Sequence, residues 1–302
     1  MSNRGLSWTD LGEISSAWVG DIAYLGNSIV ILGAGLHVHR SINYGTSWSD
    51  LGEITTGVIH AIANLGDGIA TLGDYAGHVF RSINYGATWS DLGVVASGGI
   101  DSMAYLENGI AIMSDWNKHV YRSTDYGANW SDLGVIAAGW AAHSMTYLEN
   151  GIVVFGGKDK HVYRSIDYGA NWTDLGVIAW GWIGGISYLG NGIVVFGDYW
   201  WDVFRSTDYG ATWSDLGELS TAGIYSTAYL GNGIAVFGDN ANHVFRSINY
   251  GLTWVDLGVK AVDQISIITY LGKGIAVMGD DAGHVYRSTM AGTAGPLPLH
   301  FR

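Results

Sequence analysis

The side chains of this sequence best equipped for chemistry are its carboxylates, arginines, histidines and tryptophans, and most of them recur at fixed spacing. Seven of the nine arginines, Arg40, Arg81, Arg122, Arg164, Arg205, Arg246 and Arg287, share one repeated position, as do His37, His78, His119, His161, His243 and His284, with Asp202 in the remaining unit. Groups spread one per unit cannot converge on a single ion or substrate. The arginines therefore read as framework, and the histidines as a structural hydrogen bond at the start of a strand. Asp74, Asp115, Asp198, Asp239 and Asp280 open a loop in five units, which suits a loop-closing hydrogen bond. The unrepeated acids Asp21, Asp101 and Asp263 are the carboxylates to nominate for catalysis, where glycoside hydrolysis needs two acids about 5 to 10 Å apart. His39, His60 and His143 are irregular, and His60 and His143 could face a ligand. No phosphate loop, nucleophile motif or cofactor fingerprint is present, so neither cofactor nor metal is expected.

The tryptophans divide into two populations. Trp8, Trp48, Trp89, Trp130, Trp172, Trp213 and Trp254 fall 40 to 42 residues apart and mark seven units. In each, the pattern seen at Arg205 to Gly217 reads as a turn between short strands: Asp208 caps the turn, Gly210 takes φ > 0, and Trp213 anchors it. The equivalent acid or amide positions are Asn43, Asn84, Asp125, Asp167 and Asn249. The other seven tryptophans, Trp18, Trp116, Trp140, Trp180, Trp182, Trp200 and Trp201, lie in two loop classes that differ from unit to unit.

Each unit of about 40 residues must hold four strands, labelled A to D outward from an axis, which is the pattern of a propeller blade. In the sixth unit the runs are 224–230, 234–237 and 243–247, joined by 212–216 of the copy before. Asn-Gly and Asp-Gly pairs such as Asp67-Gly68, Asn108-Gly109 and Asn191-Gly192 predict tight A-to-B hairpins. The expected fold is all-β, a seven-bladed β-propeller of four antiparallel strands per blade. Residues 1–289 form one domain in which 1–13 complete the last blade, and 290–302 form a tail outside the repeat.

The repeated Ser-x-Asp-x-Gly-x-x-Trp resembles the Asp-box (BNR) repeat of sialidase-like β-propellers. That resemblance covers nearly the whole chain and implies the propeller fold. A sialidase would bring three arginines onto a carboxylate and use a tyrosine nucleophile, and the framework placement of the arginines argues against it.

In an up-and-down blade the D-to-A and B-to-C loops share one face, and all strong variation lies there. Drifting surface loops should become polar, whereas these gain tryptophan. The expected ligand-binding residues are Trp116, Lys118, Trp140, Lys158, Lys160, Trp180, Trp182, Tyr199, Trp200, Trp201 and Tyr225. A non-enzymatic module that binds a protein or carbohydrate ligand on this face is expected, as a monomeric propeller. A glycoside-acting enzyme using Asp21, Asp101 or Asp263 is the alternative. A net charge of -13 argues against nucleic acid, no stretch approaches a membrane span, and the absence of cysteine and of a signal-like start favours the cytoplasm.

Overall fold

The computed structural model describes residues 6–137 and 142–290. Their 28 strands form seven four-stranded antiparallel sheets, and no helix occurs among them. Blade 1 runs through Val19–Gly26 (strand A), Ile29–Ala34 (B), His37–Ser41 (C) and Ser49–Glu53 (D), each paired with the next. Blades 2 to 6 repeat this order. The fourth strand of blade 6 is Val255–Val259, after its own turn, so the sequence-based assignment of 212–216 to that blade is corrected. The 212–216 segment supplies strand D of blade 5 (Ser214–Glu218), because a short C-to-D turn can only deliver the chain to the strand it has just left.

Blade 7 closes the ring from both ends of the chain. Leu6–Glu13 pairs antiparallel with His284–Met290, with Trp8 opposite Ser288. Of the 1–13 segment 6–13 is therefore strand D, and of the 290–302 tail only Met290 lies within the described residues.

The A-to-B turns are left-handed at both central positions, with φ of 53° at Asn191 and 76° at Gly192, as a two-residue hairpin requires. The C-to-D turns form as their residues dictate. The Ser206 hydroxyl donates to Asp208 Oδ1 (2.8 Å), the Gly210 amide donates to Ser206 Oγ (2.9 Å), and the Thr212 amide donates to Asp208 Oδ1 (2.9 Å). Gly210 has φ 74°, and so, less predictably, Tyr209 has φ 59°. The left-handed tyrosine recurs in all six complete turns and has a use: its carbonyl accepts Arg164 Nε of the preceding blade (2.8 Å). Arg40, Arg81, Arg122, Arg205 and Arg287 make the same bond to the tyrosines of their neighbours. Six of the seven framework arginines are thus latches between blades.

The core sits between sheets, not within them, as in the cluster that joins Ile31 and Leu25 of blade 1 to Ile59, Leu72 and Phe80 of blade 2. A glycine in strand B makes room for the first isoleucine of the next strand A. A Cβ on Gly197 would stand 2.4 Å from Ile224 Cγ2, and one on Gly156 would stand 2.2 Å from Ile183 Cγ2. At the closing junction Gly279 faces Val19 in place of isoleucine, and at one junction the glycine itself is lost, with Ser114 in strand B and Ala142 opening the next A strand.

Candidate functional site

The D-to-A and B-to-C loops are bound to each other, and one buried aspartate does most of the binding. Asp198 accepts the amides of Trp200 (2.9 Å) and Asp202 (3.0 Å) in its own loop, and those of Trp180 (3.1 Å) and Gly181 (2.7 Å) in the adjoining one. Asp74 does the same with Ala76, His78 and Gly57. The loop-closing role expected of these acids is what the structure shows.

A second bond sets which way the loop residues face. The amide of the second B-to-C residue donates across to the D-to-A loop: Tyr75 to Val58 (3.0 Å), Trp116 to Gly99 (2.9 Å) and Tyr199 to Trp182 (2.8 Å). In blades 2, 4 and 7 this position, held by Tyr75, Lys158 and Asp281, lines the axial cavity, and in blade 5 Tyr199 sits at the inner mouth while the two residues after it, Trp200 and Trp201, line a separate notch. The predicted residues consequently separate into groups instead of forming one cluster.

At the inner mouth on one side, Tyr199 lies 5.3 Å from Trp182 and 5.9 Å from Tyr225 by ring centroids, and Lys158 Nζ lies 5.9 Å from the Trp182 ring. Across the ring, Trp116 packs on Tyr75 (4.3 Å), Tyr75 on His60 (5.1 Å), and His60 on Trp18 (5.4 Å). Tyr75 was not among the predicted residues, although it shares a loop position with Trp116 and Tyr199, which is the signal that could have found it. Trp180, Trp200 and Trp201 stand together farther out on blade 5, with Lys160 Nζ 4.9 Å over the Trp200 ring. Lys118 occupies the last position of its loop with φ 74°. Trp140 lies outside the described residues. Trp116, Trp180, Trp182, Trp200 and Trp201 are 39 to 58% exposed, so these rings do not plug the channel.

Below the mouth, the seven A strands enclose an axial cavity of about 660 Å³. Its walls carry Asp21, His60, Tyr75, Asp101, Lys158, Tyr225 and Asp281. Burial pushes the Asp21 carboxyl up to about 6, against the pull of two backbone amides, Ile22 (2.7 Å) and Ile62 (2.6 Å), which donate to its two oxygens. Burial, then the charges of Asp263 and Asp280, raise Asp281 to about 6 as well. Tyr225 rises to about 12 through burial and the nearby Tyr199 and Asp281. His60 Nδ1 lies 3.0 Å from the Asp101 carbonyl, so that nitrogen carries the proton and donates. Asp21, with both oxygens engaged by backbone, ties blade 1 to blade 2 and is poorly placed to attack or protonate a ligand. Asp101 lines the same cavity with Oδ1 3.5 Å from His60 Nδ1, and Asp263 accepts the Gln264 amide (2.8 Å). Among the described residues no three His, Asp or Glu side chains are grouped to hold a metal ion.

The repeated histidines lie away from this cavity. His161 Nδ1 is 2.8 Å from Asp174 of strand D, and His37, His78, His119, His243 and His284 pair likewise with Asp50, Asp91, Asp132, Asp256 and Asp10. Each pair pins strand C to strand D, the structural bond expected of them.

No protein-family model matches the chain, and no curated protein matches it in sequence. Among solved structures it is similar to YCF48 bound to a D1 peptide, at 17% identity and a TM-score of 0.78, covering 96% of this chain and 97% of that one. It is similar to YCF48 from Cyanidioschyzon merolae at 15% identity and a TM-score of 0.74, covering 93% and 98%. The WD40 β-propeller domain of Doa1 gives 12% identity and a TM-score of 0.77, covering 95% and 97%. At these identities the likeness shows the fold, and it is an all-β propeller of seven four-stranded antiparallel blades.

Proposed function

We propose that the chain is a non-enzymatic recognition module that holds a protein partner on its loop face, with Trp116, Trp182, Tyr199, Tyr225 and Lys158 as the contact residues. The observation that carries this reading is the ring of half-exposed aromatics at the mouth of the axial cavity. Rigid aromatic side chains at the edge of a concavity are the usual anchors of an interface, since they bury large area with little loss of conformational freedom. The YCF48 structure is of that protein bound to a D1 peptide, which makes a peptide the first ligand class to test here. A carbohydrate remains the other candidate ligand for the same rings. The enzyme alternative draws on Asp21, Asp101 and Asp263, and the double backbone engagement of Asp21 weighs against it. The repeated Ser-x-Asp-x-Gly-x-x-Trp turn is, on this reading, an Asp box of the sialidase-like kind used purely as scaffold.

The test is to pan a displayed peptide library and a glycan array with the wild type, Trp182→Ala and Trp116→Ala. Loss of peptide capture by about tenfold or more in the variants, at unchanged melting temperature, is expected. Equal capture by all three proteins would remove the inner mouth from consideration, and loss of a glycan signal alone would reassign the module as a lectin.

A further inference from the structure

Blade 5 departs from its six siblings at several positions that meet in one place. Where the others carry a histidine paired with a strand D aspartate at 2.8 to 3.1 Å, blade 5 carries Asp202. The aspartate left over, Asp215, accepts Trp180 Nε1 instead (2.9 Å). Trp200 and Trp201 fill loop positions that are alanine and glycine in blades 2 and 7. Trp201 also adopts φ 82°, a left-handed conformation that a bulky side chain takes only at a cost in strain. Trp180, Trp200, Trp201, Asp202 and Glu218 together line a notch of about 450 Å³ on the outer side of the loop face.

The notch is acidic and its charge is not met from within. Among the described residues neither Asp202 nor Glu218 has a side-chain hydrogen bond or an ion pair, and the nearby Lys160 places its ammonium over the Trp200 ring, with no ion pair to either acid. An aromatic wall that already holds one cation on a ring face, beside two carboxylates with open lone pairs, asks for a particular occupant. We propose that this notch receives an arginine side chain of a protein partner. A guanidinium is planar and weakly hydrated, so it stacks on indole while its N–H fork donates to Asp202 and Glu218. A quaternary ammonium would satisfy the rings but leave the carboxylates without donors. A lysine would supply a point charge with no planar face to stack.

This deepens the recognition reading by naming the chemistry of the partner, and it concerns residues distinct from the inner mouth. The probe is acetyl-Gly-Arg-Gly-amide, titrated into the full chain and followed by the indole N–H signals in a nitrogen-correlated NMR spectrum. The comparison peptides carry citrulline, lysine or trimethyllysine in place of arginine. The arginine peptide is expected to move the Trp180 and Trp200 signals, and the citrulline peptide, isosteric but uncharged, to bind at least about tenfold more weakly. Asp202→His, which restores the residue used by the other blades and so preserves the fold, is expected to weaken binding by at least the same factor. Leu252→Ala, exposed in a C-to-D turn away from the loop face, is expected to leave it unchanged, and because the inner-mouth variants are read in their own assay the notch and the mouth can fail separately. Equal binding of citrulline and arginine, tighter binding of trimethyllysine, or indole signals unmoved at about 10 mM peptide, an affinity weaker than about 3 kcal/mol, would each overturn the assignment.

Discussion

Replacing Gly197 by alanine would place a Cβ 2.4 Å from Cγ2 and 2.6 Å from Cβ of Ile224, deep in the seam between blades 5 and 6. Gly197 does not adopt a left-handed φ, so the substitution tests packing alone and not backbone strain. Ile224 is 1% exposed and packed among Leu189, Val195 and Phe237, with little freedom to retreat, so overpacking should cost about 1 to 3 kcal/mol. Ile224→Ala alone leaves a cavity in the same cluster and should cost about 2 to 5 kcal/mol. The two changes together refill part of the space. The sequence makes the same exchange of residue types once, with Ser114 in the glycine column of strand B and Ala142 in the isoleucine column of the next strand A. The double variant should therefore be more stable than the sum of the singles by at least about 1 kcal/mol, well outside the error of independent sites. Urea unfolding followed by tryptophan fluorescence measures all four corners of the cycle, provided the denaturant slope stays constant across them. Additivity within about 0.5 kcal/mol would refute the argument that the strand B glycines exist to seat isoleucine.

Three further outcomes follow from the same geometry. Removing residues 1–13 deletes the strand that pairs with His284–Met290 and exposes its edge, so the melting temperature of the whole ring should fall; an unchanged value would sink the closure. Burial first, then the charges of Asp198, Asp215 and Glu218, raise the Asp202 carboxyl from 3.8 to about 6, so the folded protein holds a proton there that the unfolded chain gives up. Stability is therefore lost as pH rises from about 4 to about 6, and Asp202→Asn should gain up to about 1 kcal/mol over wild type at pH 7, after allowing for solvent screening, and nothing at pH 4. Melting curves at the two pH values check this, and a pH-independent difference refutes it. Asp198→Asn turns one acceptor into a donor facing backbone amides and should cost about 3 kcal/mol, with faster amide exchange in both the 178–183 and 198–202 loops; protection unchanged in either loop would contradict the shared anchor.

The repeat made the fold legible. Seven tryptophans set the register, Asn-Gly and Asp-Gly pairs set the hairpins, and the turn residues behave as their chemistry dictates. What could not be read was anything that depends on contacts between blades. Tyr209 offers no sequence reason to be left-handed until Arg164 of the neighbouring blade is seen to need its carbonyl. Asp21 looked like a free carboxylate because its second partner, the Ile62 amide, belongs to the next blade.

The candidate site was half legible for a similar reason. Counting tryptophans located the loop face but could not say that Trp180 and Trp182, two residues apart, face opposite ways. One donates to Asp215 on the outside and the other packs on Tyr199 at the mouth. Composition registers how many rings there are, and the bond from the second loop residue to the adjoining loop decides where each one faces. Among the described residues five blades make that bond over a fixed frame, so a single substitution in a loop column changes one sector of the face without disturbing the others. Asp202 is the clearest instance: giving up the histidine of its siblings forfeits a strand-pinning bond and leaves repelling carboxylates close together, which local stability alone would disfavour. Its neighbours Trp180, Trp200 and Trp201 supply what stability does not, a surface for which a cation is the natural complement.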